Sequence, residues 1–342
     1  MIDPSATVLV TGITGYIGSR IAVDLLNKGY TVRGSMRNPA KADRVRAAIA
    51  AEAPTDKLTF VKGNLTEAAD WETATQGCRA VLHVASPLAA VAPKDPDELI
   101  VPAREGTLNV LRAATAAGVE RIVLTSSMAA VAYGMDGSET LPMDESRWTN
   151  LDSKDQSAYI ASKTIAEKAA WDYVEKTNGA PELVTINPGA VLGPLLTDNP
   201  SDSLLIVIKM LRGEFPGLPK MGFMLVDVRD VSDLQIRALE SPGAAGKRYL
   251  ATVDHLTMKD IATILRDAFP DYAGKVTTRQ LPDWLLRIAA LFDGETAAVL
   301  TELGKERLTS SERARNDLGW SPRPAREAVI ATGRDAIKLG LV

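Results

Sequence analysis

The stretch from residue 7 to residue 20, TVLVTGITGYIGSR, constrains the fold more than any other part of the chain. A β-branched apolar run ends at Gly12, the chain turns through Gly15, and apolar residues then recur with helical spacing. A strand, a glycine turn and a helix form the first unit of a dinucleotide-binding fold. In this unit Gly12 permits the sharp turn, Gly15 lets the backbone approach a pyrophosphate, and Gly18 lets the helix pack closely on the strand.

The helix that follows the turn would offer free N–H groups and the positive end of its dipole to phosphates. The spacing G-x-x-G-x-x-G is also compatible with a tight turn in another α/β protein, but the flanking strand and helix favour the cofactor interpretation. The cofactor contacts predicted in this turn are Gly12, Thr14, Gly15, Tyr16, Ile17 and Gly18.

Composition excludes several other classes of protein. The formal charge of −4 arises from 39 basic and 43 acidic residues, which gives no electrostatic case for nucleic acid or an anionic membrane as partner. Cys78 is the one cysteine, so no internal disulfide is possible, and His83 and His255 are too far apart in sequence to suggest a metal site. The first strand leaves no room for a signal peptide, and no apolar run approaches the ~18 residues of a membrane helix. We predict a cytoplasmic protein, monomeric or homodimeric, that acts on a small molecule.

The end of the second predicted strand, residues 31–37, indicates which cofactor binds. NAD-binding folds carry an acidic residue there, about 20 residues after the glycines, for the ribose 2′-hydroxyl. Here no acidic residue occurs before Asp43, whereas Arg37 and Lys41 are present. A guanidinium can pair bidentately with a 2′-phosphate, and an ammonium on the same helix face can join it. The alternative is a pair of solvated cations, and the pattern favours NADP(H) over NAD.

Strands and helices alternate from residue 7 to residue 188, which predicts a doubly wound parallel α/β sheet. Ligands bind outside the carboxyl ends of such strands, so further cofactor contacts are expected after the third and fourth strands. His83, within the fourth strand, is expected to be a core histidine. The further strands are predicted at residues 58–62, 80–85, 121–127 and 183–187, and helices at 40–51, 96–117 and 157–178. The contacts after the strands are Asn64 and Leu65, which alternatively form only a turn, and Val84, Ala85, Ser86 and Pro87.

The regular alternation breaks beyond Gly193, where prolines punctuate short helices. We predict a dinucleotide-binding domain with the catalytic residues at 1–188, to which some later segments return. A smaller lobe at 189–342 would mainly bind substrate. The elements predicted in this lobe are helices at 231–240, 258–269 and 282–291 and a strand at 247–251.

Tyr159 and Lys163 are four residues apart at the start of a predicted helix, so both side chains lie on one face. Of the seven tyrosines, only Tyr159 has lysine at this distance. A phenol with a pKa near ~10 is a poor acid–base catalyst at neutral pH unless a nearby cation stabilises the phenolate, and Lys163 would supply that charge. Ser127, at the end of the fifth strand, would polarise a carbonyl while Tyr159 donates the proton. The alternative is a surface aromatic–cation pair, and serine acyl transfer is disfavoured because no Gly-x-Ser-x-Gly elbow is present.

Together these motifs resemble the extended short-chain dehydrogenases/reductases. Finer sequence features resemble the dihydroflavonol 4-reductase and cinnamoyl-CoA reductase branch, and within it the NADPH-dependent methylglyoxal and carbonyl reductases. These features are residues 83–87 (HVASP), 125–127 (TSS), 166–171 (AEKAAW), 191–194 (VLGP) and 226–231 (VDVRDV). The resemblance implies that Ser127, Tyr159 and Lys163 carry catalysis, that Arg37 and Lys41 bind the 2′-phosphate, and that Pro188 and Val191 line the nicotinamide.

The sequence departs from plant dihydroflavonol reductases at Ala132, where those enzymes carry a substrate-binding asparagine. A smaller or aromatic carbonyl compound is therefore expected, against an apolar wall of Met128, Ala132, Met221 and Phe223. The function predicted is NADPH-dependent reduction of a ketone or aldehyde to an alcohol, which is reversible. The alternatives are an NAD-dependent nucleotide-sugar epimerase or dehydratase, and a non-catalytic NADP-sensing protein.

Overall fold

In a computed structural model of the chain, the residues described are 2–3, 5–87, 93, 95–135, 141–153, 155–290, 300 and 302–342. They form two compact units. The first consists of Met1–Pro188, Arg229–Ala251 and Ser310–Ser321, and the second of Gly189–Val228, Thr252–Thr309 and Pro322–Val342.

The strands in these ranges are β1 (Thr7–Val10), β2 (Thr31–Met36), β3 (Leu58–Lys62), β4 (Ala80–His83), β5 (Arg121–Thr125), β6 (Glu182–Pro188), β7 (Ala190–Leu192), β8 (Gly222–Asp227), β9 (Arg248–Ala251) and β10 (Asp254–Thr257). The α-helices are α1 (Tyr16–Asn27), α2 (Ala42–Ala50), α3 (Ala68–Thr75), α4 (Asp97–Ala116), α5 (Ala158–Lys176), α6 (Asp202–Arg212), α7 (Val228–Glu240), α8 (Met258–Ala268), α9 (Asp283–Ala289), α10 (Glu312–Leu318) and α11 (Ala325–Lys338). The helix predicted at residues 282–291 corresponds to α9, and its predicted last residue, 291, lies outside the described residues.

The first unit is built on a seven-stranded sheet in the order β3-β2-β1-β4-β5-β6-β9. Every neighbouring pair in this sheet is parallel, so all the carboxyl ends lie along one edge. The chain runs outward from β1 in one direction and then from β4 in the other, which confirms the predicted doubly wound α/β fold.

Helices cover both faces of this sheet because its central strands are apolar throughout. Leu9 and Val10 of β1 point to opposite faces and are both fully buried, as expected for a parallel strand with a layer on each side. On one face, Leu9 and its neighbour Val81 of β4 belong to a core cluster that also contains Trp71 of α3 and Leu111 of α4.

The outermost strand, β9, comes from a segment far along the chain. It pairs with β6, where Arg248 lies opposite Thr185. The buried Arg121 of β5 holds α7 beside this sheet, since its guanidinium donates to the carbonyls of Ala238 and Leu239, at 3.0 Å each. These carbonyls, at the end of the helix, have no intrahelical partner of their own.

The second unit contains a three-stranded sheet in the order β10-β8-β7, which the sequence did not predict. The strand β8 pairs parallel with β7 and antiparallel with β10. Thr332 of α11 attaches that helix to the loop after β7, because its hydroxyl donates to Gly193 O (3.0 Å) and accepts from Gly193 N (2.8 Å). None of the helices in the described ranges combines the length and apolar character needed to span a bilayer.

Candidate active site

The glycine turn between β1 and α1 has the geometry of a phosphate cradle. Gly12 adopts a positive φ of 66°, a conformation that other residues rarely take. A Cβ atom on Gly18 would lie 2.5 Å from the carbonyl oxygen of Gly12, so a side chain there would displace the helix from the strand. Gly15 is the N-cap of α1, and no side chain among the described residues caps this helix. The N-terminus of α1 and the positive end of its dipole thus lie directly after the glycine turn, an arrangement that fits the pyrophosphate of a dinucleotide.

Thr11 ties the glycine turn to the segment after β4. Its Oγ1 accepts hydrogen bonds from the N–H groups of Val84 and Ala85, both at 2.9 Å, and lies 2.8 Å from His83 Nδ1. Since this oxygen already accepts two hydrogen bonds, its own proton goes to Nδ1, and we assign the histidine proton to Nε2. This threonine was not predicted from the sequence, although a hydroxyl at the end of an apolar strand was a usable signal.

His83 is a core histidine, as predicted. It is 1 % exposed, and burial together with the charge of Lys163 lowers its pKa to about 3. The imidazole is therefore neutral at physiological pH and is poorly suited to act as a base.

The carboxyl end of β2 is also tied to the glycine turn. Ser35 accepts from Gly12 N through its hydroxyl (3.3 Å) and from Ile13 N through its carbonyl (3.2 Å). A Cβ atom on Gly34 would lie 2.4 Å from Ile13 Cδ1, so the absence of a side chain at Gly34 leaves room for this isoleucine. Arg37 comes directly after β2, at the carboxyl edge of the sheet that also carries the glycine turn.

Arg37 and Lys41 are both exposed, but they do not lie on one helix face as predicted. The predicted helix from residue 40 begins instead as a 3-10 turn, Pro39–Lys41, which Asn38 caps by accepting from Ala40 N at 3.0 Å. Arg37 precedes that turn, and Lys41 ends it just before α2. Two cations in an exposed turn still suit a phosphate ligand.

Asn64 and Leu65 make contacts typical of a turn between β3 and α3. Asn64 accepts from Thr66 N through its side chain (3.4 Å) and from Trp71 Nε1 through its carbonyl (2.9 Å). Leu65 O accepts from Asn109 Nδ2 at 2.9 Å, which gives the asparagine of α4 a structural role. The predicted contact of this turn with a cofactor remains a prediction.

Ser127 lies two residues beyond β5 and caps a 3-10 turn, Met128–Ala130. Its Oγ accepts from Ala129 N at 3.1 Å, which leaves the hydroxyl proton available to a ligand. Thr164, which follows Lys163 in α5, makes its shorter hydrogen bond (2.8 Å) within that helix, and its Oγ1 lies 3.5 Å from the carbonyl oxygen of Ala129. The turn of Ser127 therefore packs against the helix that carries Tyr159 and Lys163.

Tyr159 and Lys163 lie in the first turns of α5. Ser157 caps this helix by accepting from Ile160 N at 3.3 Å. Tyr159 is 38 % exposed, and Lys163 Nζ lies 5.8 Å from the centroid of its ring. Burial lowers the pKa of Lys163 to about 8, although the charge of Glu167 opposes this shift. At neutral pH the lysine is thus an ammonium group next to the phenol.

The remaining predicted site residues are divided between the two units. Pro188 ends β6 in the first unit and Val191 lies in β7 of the second, where its carbonyl accepts from Ser203 Oγ at 2.7 Å. Met128 is partly exposed after Ser127.

The predicted substrate wall needs one correction, because the buried Ala132 has 0 % exposure and presents no surface to a ligand. The residues from 130 to 132, at the end of the 3-10 turn and directly after it, are all buried, which the sequence alone did not reveal. Met221 and Phe223 belong to the second unit. Among the residues that the structure describes, no three His, Cys, Asp or Glu side chains are grouped closely enough to hold a metal ion.

Comparison with protein families identifies the class to which this arrangement belongs. The model of the NAD dependent epimerase/dehydratase family matches residues 8–251. The chain belongs to the NAD dependent epimerase/dehydratase family. It is an extended short-chain dehydrogenase/reductase, which confirms the resemblance seen in its motifs.

This member of the epimerase/dehydratase family has relatives in the dihydroflavonol and cinnamoyl-CoA reductase branch. It is 38 % identical over 269 residues to a cinnamoyl-CoA reductase of Medicago truncatula, covering 77 % of this chain and 81 % of the relative. It is 36 % identical over 274 residues to a dihydroflavonol 4-reductase of Zea mays, covering 78 % and 75 %. The solved structure of yeast methylglyoxal/isovaleraldehyde reductase Gre2 complexed with NADPH is 26 % identical, with a TM-score of 0.80 over 98 % of this chain and all (100 %) of that one.

Proposed function

We propose that the chain is an oxidoreductase that uses NADPH to reduce a ketone or aldehyde to an alcohol, reversibly. One observation carries the proposal: α5 holds the Lys163 ammonium next to the Tyr159 phenol, and the same helix packs against the turn that presents Ser127. This set places a proton donor, a cation and a hydroxyl hydrogen-bond donor in one unit with the glycine turn.

The cofactor is NADP(H), consistent with the NADPH in the yeast reductase structure. The glycine turn and the N-terminus of α1 would hold the pyrophosphate, and Arg37 with Lys41 would hold the 2′-phosphate. When bound, the reduced nicotinamide supplies the hydride that is added to the carbonyl carbon.

The protein supplies the proton and the polarisation of the carbonyl. Ser127 Oγ, which accepts from Ala129 N, donates its own proton in a hydrogen bond to the substrate oxygen. Tyr159 transfers its phenolic proton to the same oxygen as the negative charge develops there. Lys163 lowers the cost of the resulting phenolate by charge. The products are an alcohol and a tyrosinate, which is reprotonated from solvent.

Two other functions compete with this proposal. A nucleotide-sugar epimerase or dehydratase would share the Ser127, Tyr159 and Lys163 set but would favour an acidic residue at the end of β2 for NAD, and Arg37 stands there instead. A non-catalytic NADP sensor would need no proton donor next to an ammonium group. Both alternatives are therefore less consistent with the residues present.

A panel of carbonyl compounds tests the proposal. Purified protein with NADPH should reduce some members of a set of aldehydes, α-diketones and aryl ketones, measured by loss of reduced-nicotinamide absorbance and by the alcohol formed. Ser127→Ala serves as the control for background reduction by contaminating enzymes. If every carbonyl is inert while a nucleotide-sugar is converted, the epimerase or dehydratase function replaces the one proposed.

The rate of reduction should fall as the pH rises through about 8, the pKa of Lys163. Below this pH the side chain is an ammonium group that favours the tyrosinate, and above it the neutral amine provides no such charge. The pH dependence of kcat/KM measures this alkaline limb. Lys163→Arg, whose guanidinium stays charged, should retain residual activity without that limb. An unchanged limb in Lys163→Arg would assign the titration to another group.

A further inference from the structure

Glu167 is a buried carboxylate one turn after Lys163 in α5. It is 1 % exposed, yet its two oxygens have four close partners from three other segments of the chain. Oε1 accepts from Arg248 Nε at 2.7 Å and from Thr185 Oγ1 at 3.0 Å. Oε2 accepts from Ser126 Oγ at 2.5 Å and from Asn187 Nδ2 at 2.7 Å. An ionised carboxylate can be buried only with this degree of compensation.

Two of these partners connect Glu167 to Ser127. Asn187 Nδ2, which donates to the Glu167 carboxylate, also lies 3.1 Å from the main-chain carbonyl oxygen of Ser127. Ser126, the preceding residue, is held by its own hydroxyl on the same carboxylate. The backbone on both sides of the Ser126–Ser127 peptide is therefore fixed by one anion.

The charge of Glu167 also acts on Lys163, which lies four residues earlier on the same helix face. Within the described ranges, the titratable groups that interact with this lysine are Tyr159 and Glu167 from α5 and His83 from β4. The histidine is neutral, and the phenol is uncharged in its acid form. Glu167 is thus the anion that opposes the desolvation of the ammonium group.

Arg248 holds Glu167 from the side opposite α5. Its guanidinium stacks on Trp148, with Cζ 3.6 Å from the ring centroid. Its Nη1 donates to the carbonyls of Glu145 and Arg147, both at 2.8 Å. A buried ion pair is an expensive way to fill a core, since apolar residues of similar volume often stabilise a protein equally well. The connections of Glu167 to Ser127 and Lys163 supply a reason for a charge at this position.

We propose that Glu167 is a positioning residue: through Asn187 and Ser126 it fixes the backbone of Ser127, and along α5 it supplies the negative charge that Lys163 faces. This inference rests on the function proposed above, in which Ser127 and Lys163 are catalytic residues. It assigns the Glu167–Arg248 pair to the support of the reaction and not only to the stability of the fold.

The test separates the effect of Glu167 on Lys163 from its effect on Ser127. It uses variants that change either the charge or the length of the Glu167 side chain. Glu167→Gln keeps the shape and removes the charge, whereas Glu167→Asp keeps the charge and shortens the side chain. Glu167→Gln leaves Arg248 buried without its partner, so Glu167→Gln/Arg248→Met is made as well to remove both charges and preserve folding. Glu175→Gln, an exposed glutamate on the same helix, is the matched control.

Two readouts follow each variant. The titration of Lys163 is measured directly in the cofactor-free protein by NMR of lysines labelled with carbon-13 at Cε, with the signal assigned from Lys163→Arg. The rate constant kcat and the pH profile of kcat/KM are measured with a carbonyl compound that the wild type reduces. Thermal unfolding of each variant reports stability separately.

Both variants without the carboxylate charge should lower the midpoint of the Lys163 titration by about 1 pH unit or more. Their alkaline limb of kcat/KM should move by the same amount. Glu167→Asp should keep this midpoint but reduce kcat by about 100-fold, because a shortened side chain misplaces Ser127. Glu175→Gln should match the wild type in both readouts.

The proposal is overturned if Glu167→Gln and the double variant lower only the melting temperature. In that case the midpoint of the Lys163 titration stays at its wild-type pH, and kcat stays within about twofold of the wild-type value. A wild-type kcat in Glu167→Asp would remove the role in placing Ser127. If the wild type reduces no carbonyl compound, the proposed function fails, while the NMR titration still decides whether Glu167 sets the charge state of Lys163.

Discussion

Replacing Tyr159 by phenylalanine should lower kcat for carbonyl reduction by about 100-fold to 10,000-fold, the usual contribution of a general acid. The substitution removes one oxygen atom from a ring that is already partly exposed near the start of α5, so folding should be little affected. The phenol does not belong to the glycine turn or to the Arg37 region, so the dissociation constant for NADPH should change by less than about threefold. Steady-state kinetics and quenching of protein fluorescence by NADPH measure the two quantities.

The matched control for this variant is Tyr173→Phe on the same helix. The hydroxyl of Tyr173 donates to Thr115 Oγ1 at 3.1 Å, a contact between α5 and α4. Its loss should cost about 1 kcal/mol of stability and leave kcat unchanged. Retention of more than a tenth of wild-type turnover by Tyr159→Phe would show that another group donates the proton.

The sheet of the first unit could be predicted because its signals are local. Each strand from β1 to β5 is a short, largely apolar run that a helix follows before the next strand, and parallel crossovers have one preferred hand. The boundaries shifted by a few residues at strand ends: β4 ends at His83, while the sequence extended it to residue 85. That difference arises because Val84 and Ala85 bond to the Thr11 side chain, not to a neighbouring strand.

The second sheet and the support of the active site could not be predicted, because both depend on long-range pairing. The strands β7, β8 and β10 have only 3, 6 and 4 residues, so no sustained alternation of polar and apolar residues marks them. Arg248 meets Glu167 only because β9 adds to β6, far from it in sequence. Nothing in the residues around position 167 alone indicates such a partner.

Within the candidate site, the order of Gly12, Arg37, Ser127, Tyr159 and Lys163 along the chain was informative because each follows a predictable strand end or helix start. The path of the chain after Ser127 was not, since the 3-10 turn buries Ala132. The position of a side chain can be predicted from its distance in sequence to a motif only while the backbone between them keeps one regular conformation. This condition holds from Tyr159 to Lys163 and fails from Ser127 to Ala132.

The cofactor preference should reverse most strongly in Arg37→Asp. A charged hydrogen bond contributes about 1.5–3 kcal/mol, so loss of a bidentate contact and gain of a repulsive carboxylate should raise the dissociation constant for NADPH by about 100-fold or more. NADH carries a 2′-hydroxyl that the new aspartate can accept from, so its affinity should stay equal or improve. Parallel titrations with both cofactors give the ratio of the two dissociation constants.

Two further variants make this prediction specific to Arg37. Arg112→Asp, which reverses the charge of an exposed arginine on α4, controls for the change in net charge. Lys41→Ala should weaken NADPH binding less than Arg37→Asp does, because an ammonium offers no bidentate fork to a phosphate. The family is described as NAD dependent, so an unchanged preference in Arg37→Asp would mean that the end of β2 does not select the cofactor. A selective loss of NADPH binding would instead show that the basic turn after β2 determines the preference of this chain for NADPH.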